Sequence, residues 1–354
     1  MIKVWIDIII TFPCCSAQHY LYSVQAPAVG RANLIAALAS AKQPPKRSIV
    51  TLANCDNAWL VSIPKPPGTT GNKAFYHILQ DPWLGGINDV FTAYLLRMQL
   101  KEKSALDGIE ASLKEDTEHC LDAVVVTHTN PDHLRAETLR TIDPSMRVFT
   151  VEDAAATISA MKHFDSVADL PDFARDQAWP VTPEMPGWLS VFRLQDETKK
   201  YPHLYRAIVI KSAVSNDKNE VILYSPHGVD PGIVDAAMEM NPDASVLAMT
   251  RPLNETGAGI KSKGVANALK IERKQGPKYW IHCQECIQHS VLNWFMAFGD
   301  ATLEQGLKEE ARDAEEDLPK PSCVTILNGG GLILALKGLS PIKHIPWIYA
   351  IRHN

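Results

Sequence analysis

The chain has no surplus of positive charge. Its 35 Lys and Arg against 40 Asp and Glu give a formal net charge of -5 at pH 7 and a pI near 6.2. A phosphate backbone is gripped by rows of basic side chains, so nucleic acid is excluded as the expected partner. Cysteine is sparse: Cys14, Cys15, Cys55, Cys120, Cys283, Cys286 and Cys323 are odd in number and scattered. That pattern excludes a disulfide framework and makes a reducing, cytoplasmic setting the default. No apolar run approaches the roughly 20 residues that a membrane-spanning helix needs, and no repeat of fixed period is present. What remains is an ordinary globular composition, 354 residues with 46% hydrophobic and 21% charged. It suffices for one large domain or two modest ones and suits a small-molecule substrate, and nothing in it specifies an oligomeric state.

The first residues qualify the cytoplasmic expectation. Lys3, an apolar run and a small-residue site near Ala17 resemble a weak secretory signal, so secretion stands as the alternative; Asp7 inside the run argues against it. Residues 1–46 are read as an N-terminal extension that leads through Gln43-Pro44-Pro45-Lys46-Arg47 into the domain proper.

Beyond that hinge, short apolar segments at Ser48–Leu52, Ala58–Ile63 and Ala74–Leu79 predict an antiparallel meander. Helical periodicity is expected over 104–120, 133–141 and 152–163, with strands at 123–126 and 148–151. Strands then recur at 189–194, 207–211, 221–224, 245–249 and 279–281, with helices at 232–240 and 264–274. The Glu-rich stretch 303–317 is an exposed helix or loop, and 323–327 and 332–336 are strands around a hairpin turn, Asn328-Gly329-Gly330-Gly331. Strands followed by alternating strands and helices, twice over, imply two sheets face to face with helices outside, a four-layer αββα arrangement.

Chemistry concentrates between Leu121 and Leu139, where an apolar strand ends in His128, Asn130, Asp132 and His133 within six residues. Imidazole nitrogen and carboxylate oxygen are what zinc and its neighbours bind. The plain structural reading of Asp132 alone is a helix N-cap.

The stretch His128-Thr129-Asn130-Pro131-Asp132-His133 resembles the HxHxDH signature of the metallo-β-lactamase superfamily, with Asn130 where that family has histidine. Asn54–Leu60, Tyr76–Leu84, Trp280 and the closing Asn328-Gly329 are similar to its lactonase-like and phospholipase-like branch, in the versions found in filamentous fungi, so the resemblance covers about residues 48–340. It implies an αββα metallo-β-lactamase-like sandwich over 47–346 and a tail at 347–354. It also implies His203, His227 and His282 as further ligands, His227 standing where the family carries a bridging aspartate. One or two zinc ions are implied, with manganese or iron as the other ions the site would take. The implied activity is hydrolysis of an ester, lactone or phosphodiester by a metal-activated water, with Asp132 orienting or deprotonating that water. The alternative is a non-catalytic member of the fold that has lost part of its metal site and binds a small molecule or a protein.

Other conspicuous residues carry plainer readings. His77 is expected to be packed, His163 to be structural, the tryptophans to belong to the core, and His282–His289 to form a partly buried helix with small thiols. Asp81, before Pro82, is read as a turn residue with support of a metal ligand as a second role.

Overall fold

The run Ala123-Val124-Val125-Val126 is buried along its whole length. An apolar, β-branched run of this kind belongs to a parallel strand covered on both faces. The computed structural model describes residues 46–71, 73–90, 96–104, 121–196, 201–215, 218–255, 257–258, 261–283, 287–290, 296–297, 303–314, 319–326, 328–334 and 350–352. The N-terminal extension, the helix expected over 104–120 and most of the tail lie outside the described residues.

Strands β1 (Ile49–Leu52), β2 (Trp59–Pro64) and β3 (Phe75–Gln80) form the expected meander. They are followed by β4 (Ile87–Val90), β5 (Leu96–Leu100) and β6 (Ala123–Val126). Helix α1 (Ala136–Leu139), β7 (Val148–Thr150), helix α2 (Glu152–Ala160) and β8 (Val167–Asp169) complete the first half. The second half begins with β9 (Leu189–Gln195), β10 (Arg206–Ser215) and β11 (Lys218–Tyr224). Then come helix α3 (Pro231–Glu239), β12 (Ala244–Thr250), β13 (Gly257–Ala258), helix α4 (Gly264–Gln275) and β14 (Tyr279–Ile281). Short strands β15 (Ile287–Ser290) and β16 (Met296–Ala297) precede helix α5 (Leu303–Ala314). The last strands are β17 (Cys323–Ile326), β18 (Gly331–Ile333) and β19 (Ala350–Arg352).

Among the described residues two seven-stranded sheets run in the orders β18-β1-β2-β3-β6-β7-β8 and β19-β17-β14-β12-β11-β10-β9. Each joins an antiparallel part to a parallel one: β3, β6, β7 and β8 in the first, β11, β12, β14 and β17 in the second. Side chains alternate across the second sheet. Ile208, Ile210, Ile222, Tyr224 and Ile281 join the first sheet's residues in one core. Ala207, Val209, Leu223 and Trp280 face the other way and pack with Ile233 and Val234 of α3, Ala268 and Leu269 of α4, and Leu303 of α5. Two sheets thus share an inner core, with helices on the outside, which is the αββα sandwich. No helix among the described residues is long and apolar enough to cross a membrane.

Three local expectations are corrected. The helix expected over 133–141 shortens to α1, because Pro131–His133 close a turn in which His133 N and Leu134 N both donate to Asn130 O at 2.9 and 2.8 Å. The hairpin at Asn328–Gly331 is a crossing between sheets: β17 pairs with β14 and β19, whereas β18 pairs with β1. The turn residues were legible, but the strand that takes up the edge of β1 is a matter of tertiary pairing. Of the helix expected over 282–289, residues 284–286 lie outside the described residues, and Ile287, Gln288 and His289 belong to strand β15, paired with β5.

Candidate metal centre

The site stands at the C-terminal ends of β3, β6 and β11, where the two sheets meet. β3 ends at Gln80, and Asp81 turns the chain with φ +46°, a conformation that short polar side chains tolerate. Fully buried, Asp81 gathers four donors. Its Oδ1 accepts from Thr127 N at 2.7 Å, while Oδ2 accepts from Thr127 Oγ1 at 2.6 Å, His133 Nδ1 at 2.7 Å and Tyr224 OH at 2.9 Å. Asp81 is therefore the turn residue expected, and its carboxylate holds the His133 ring.

This network decides which ring nitrogens face inward. His133 spends its Nδ1 proton on Asp81, so its Nε2 faces inward. Thr127 has a single hydroxyl proton and gives it to Asp81, so it accepts from His128 Nδ1 at 2.8 Å, leaving His128 Nε2 bare in the neutral ring. His227, three residues past β11, completes the group. One ring nitrogen from each of the buried His128, His133 and His227 lies within 4.8 Å of the other two. His133 Nε2 and His227 Nε2 are 3.2 Å apart, and Asp132 Oδ2 stands 3.4 Å from His133 Nε2.

Charge follows from burial and neighbours. Burial, together with His133, His227 and Arg206, holds His128 well below the ordinary histidine range, against the opposing pull of the Leu204 carbonyl. Burial, His133, Arg206 and Arg251 do the same to His227. Burial also disfavours a charged His133, but Asp132 and Asp81 outweigh it and raise this ring to about 9. At neutral pH the cluster therefore keeps one cationic ring, His133, between two neutral ones.

The donors fit a metal ion. Two nitrogens bound to a tetrahedral ion at about 2.05 Å stand about 3.3 Å apart, and the His133 to His227 separation of 3.2 Å matches that edge. Neutral imidazoles with a nearby carboxylate are a donor set for zinc, iron or manganese.

Four of the seven residues singled out in the sequence, His128, Asp132, His133 and His227, come together here. Asn130 is at the edge, its amide nitrogen 3.4 Å from His227 Nε2. His203 lies on the rim with its side chain 77% exposed and Nδ1 3.3 Å from Asp153 Oδ2. His282 falls on the helix side of its sheet, with Trp280, and pairs with Cys323 Sγ and Thr325 Oγ1. His77 is packed, as expected, with Nδ1 2.8 Å from Ser62 Oγ. Sequence reasoning passed over Thr127, Tyr224, Arg206 and the Leu204 carbonyl. The first two sit at strand ends beside ligands, which was the one signal available for them.

This sandwich, with metal-ligand types on loops along one edge where the sheets meet, has the metallo-β-lactamase-like fold. No family model and no curated protein matches the chain. Solved structures do share its fold. One is described as a possible metal-dependent hydrolase from Veillonella parvula, at 12% identity over 81% of this chain and 99% of that one, with a TM-score of 0.50. Another is an isothiocyanate hydrolase from Delia radicum gut bacteria, at 11% identity over 82% of this chain and 100% of that one, also with a TM-score of 0.50. At such identities the likeness is one of fold.

Proposed function

We propose that this chain is a metal-dependent hydrolase of a small ester, lactone or phosphodiester, and that His128, His133 and His227 hold one ion, zinc in the first instance, with manganese or iron as the other ions the donors suit. One observation carries the reading: a single buried carboxylate, through direct and relayed hydrogen bonds, turns two histidines so that their Nε2 atoms face inward beside a third. Without an ion His133 carries a second proton at Nε2, 3.2 Å from His227 Nε2; a metal ion would take the place of that proton among the rings. The possible metal-dependent hydrolase from Veillonella parvula and the isothiocyanate hydrolase from Delia radicum gut bacteria use the same fold.

Held by His128, His133 and His227, a divalent ion would supply a water whose pKa falls toward about 7 and a Lewis acid for a carbonyl or phosphoryl oxygen. Asp132 stands beside that position, its Oδ2 3.4 Å from His133 Nε2, and takes the proton from the attacking water. Asp81 does not meet substrate; it fixes the rings and holds the Nδ1 proton of His133. Tyr224 fills the remaining side of the Asp81 carboxylate and keeps it dry.

Elemental analysis of protein purified without chelator tests the reading, with wild type beside His133→Ala and His227→Ala. The expected result is about one tightly held ion per wild-type chain and a loss of at least tenfold in retention in both variants. A wild type that holds no ion even after incubation with zinc, manganese and iron would overturn it.

A further inference from the structure

We propose, on the metal reading given above, that Asn267 is a positioning residue for His227 and that the buried Arg251 sets the orientation in which Asn267 does so. Both act on the main chain that carries the His227 ring.

Register brings the parts together. β11 and β12 run parallel with Tyr224 beside Thr250, and Ser225 N donates to Thr250 O at 3.1 Å, so the chain leaves these strands side by side as the His227 loop and as Arg251. Arg251 is pinned to the next strand, β14: its N donates to Ile281 O at 2.9 Å, and its carbonyl accepts from Trp280 Nε1 at 3.2 Å. Helix α4 closes over the loop. Lys263 N donates to His227 O at 2.9 Å, and Asn267, at the end of the first turn of α4, donates from Nδ2 to Val229 O at 3.1 Å. The loop is thus held on both sides of Gly228, whose φ of +99° lets the chain turn there.

The Asn267 amide can face only one way. A guanidinium donates and never accepts, and a main-chain carbonyl accepts and never donates. Arg251 Nη2 donates to Asn267 Oδ1 at 2.7 Å, which leaves Nδ2 for Val229 O. A flipped amide would set donor against donor at one end and acceptor against acceptor at the other. Among the described residues this is the guanidinium's one hydrogen bond, Nε and Nη1 having none, and the side chain is fully buried. A buried charge with so few partners weakens the fold. The bond it keeps is the one that aims the Asn267 donor at the loop carrying His227, so Arg251 serves the site rather than stability.

Cobalt(II) titration of the full chain, followed by visible absorption, tests this in wild type, Asn267→Leu, Arg251→Met and Gln275→Ala, with folding checked by near-UV circular dichroism. Asn267→Leu keeps size and charge but removes the donor. It should bind cobalt about tenfold more weakly than wild type with displaced bands, the low end of what disturbing the support of a ligand costs. Arg251→Met should displace the bands in the same direction while melting no lower than wild type, a divergence that a merely structural role would not produce. Loss of a positive charge would by itself favour a cation, so weaker binding there reports geometry. Gln275→Ala breaks the bond of 2.6 Å from the far end of α4 to Asp235, and should match wild type within about twofold with a superimposable spectrum. Wild-type affinity and spectrum in both folded Asn267→Leu and Arg251→Met would overturn the proposal and leave the metal reading standing. Displaced bands in Gln275→Ala equal to those in Asn267→Leu would overturn it as well, by making the effect one of helix α4 at large. A wild type that binds neither cobalt nor zinc would sink the metal reading and this role with it. Should Asn267→Leu fail to fold, Arg251→Met and Gln275→Ala decide between these outcomes.

Discussion

Asp81 offers the sharpest test of the site, because an isosteric substitution and a truncation have different consequences there. In Asp81→Asn the amide oxygen can take the corner that faces Thr127 Oγ1, His133 Nδ1 and Tyr224 OH, and the backbone at φ +46° suits Asn as well as Asp. The amide nitrogen then abuts Thr127 N, which now donates to Oδ1 at 2.7 Å. One buried donor is left without a partner, at about 1–3 kcal/mol, and the remaining bonds lose the extra strength of a charged acceptor, about another 1 kcal/mol. Asp81→Ala strands all four donors and places an alanine at positive φ, so it should cost at least about 4 kcal/mol, a large share of a typical domain's stability of about 5–15 kcal/mol. Urea unfolding of chelator-treated protein reads both numbers, and calorimetric zinc titration should show affinity lowered by about 10–100-fold in Asp81→Asn. Stability within about 0.5 kcal/mol of wild type, as for an ordinary surface change, together with undiminished zinc affinity, would refute the idea that this carboxylate organises the cluster.

Other consequences are open to equally direct checks. Gly228, which follows His227, has φ +99°, and a Cβ there would come within 2.6 Å of Lys263 Cβ. Gly228→Ala should therefore cost about 1–3 kcal/mol in urea unfolding and weaken zinc binding; an unchanged unfolding midpoint would show that the loop can yield. Asp153, held below the ordinary carboxylate range mainly by Arg206 in spite of its burial, contributes stability that is full above the unfolded pKa of about 3.9 and is lost as pH falls through the lower folded value. Asp153→Asn should accordingly be less stable than wild type at neutral pH and converge with it in strong acid, and parallel stability curves from pH 7 to 2 would contradict that assignment. Arg251 is fully buried, with Nε and Nη1 lacking a hydrogen-bond partner among the described residues and its pKa lowered to about 10 by desolvation. Replacing a buried, poorly paired charge with an apolar side chain is often neutral or stabilising, so Arg251→Met should melt at the wild-type temperature or above it; a fall of more than about 5 °C, on the order of 1 kcal/mol, would show that the bond to Asn267 Oδ1 outweighs the cost of the charge.

Local pattern carried much of this protein. The apolar run 123–126 could only be a buried strand, and a strand that ends in His128, Asp132 and His133 within six residues delivers those side chains to one place whatever surrounds them. The meander β1-β2-β3, the helices α3 and α4 and the position of His227 just past β11 were legible for the same reason: each depends on periodicity or spacing over fewer than about fifteen residues.

Pairing and facing belong to the tertiary structure. Asn328–Gly331 reads as a turn in either case, and only the open edge of β1 makes β18 cross to the other sheet. His282 follows its strand as expected, but alternation sets it on the helix side with Trp280, while Ile281 and Cys283 face the inner core. His203 occupies the expected stretch, yet the turn closed at Tyr201 and the Arg206–Asp153 pair send its ring to solvent and the neighbouring carbonyl inward. By itself the sequence determined the fold class and the histidine-bearing loops at two strand ends, because hydrophobic period and residue spacing are local. Only the tertiary structure decided which atoms meet, because carbonyl directions, tautomers and the Asp81 network depend on residues far apart in the chain.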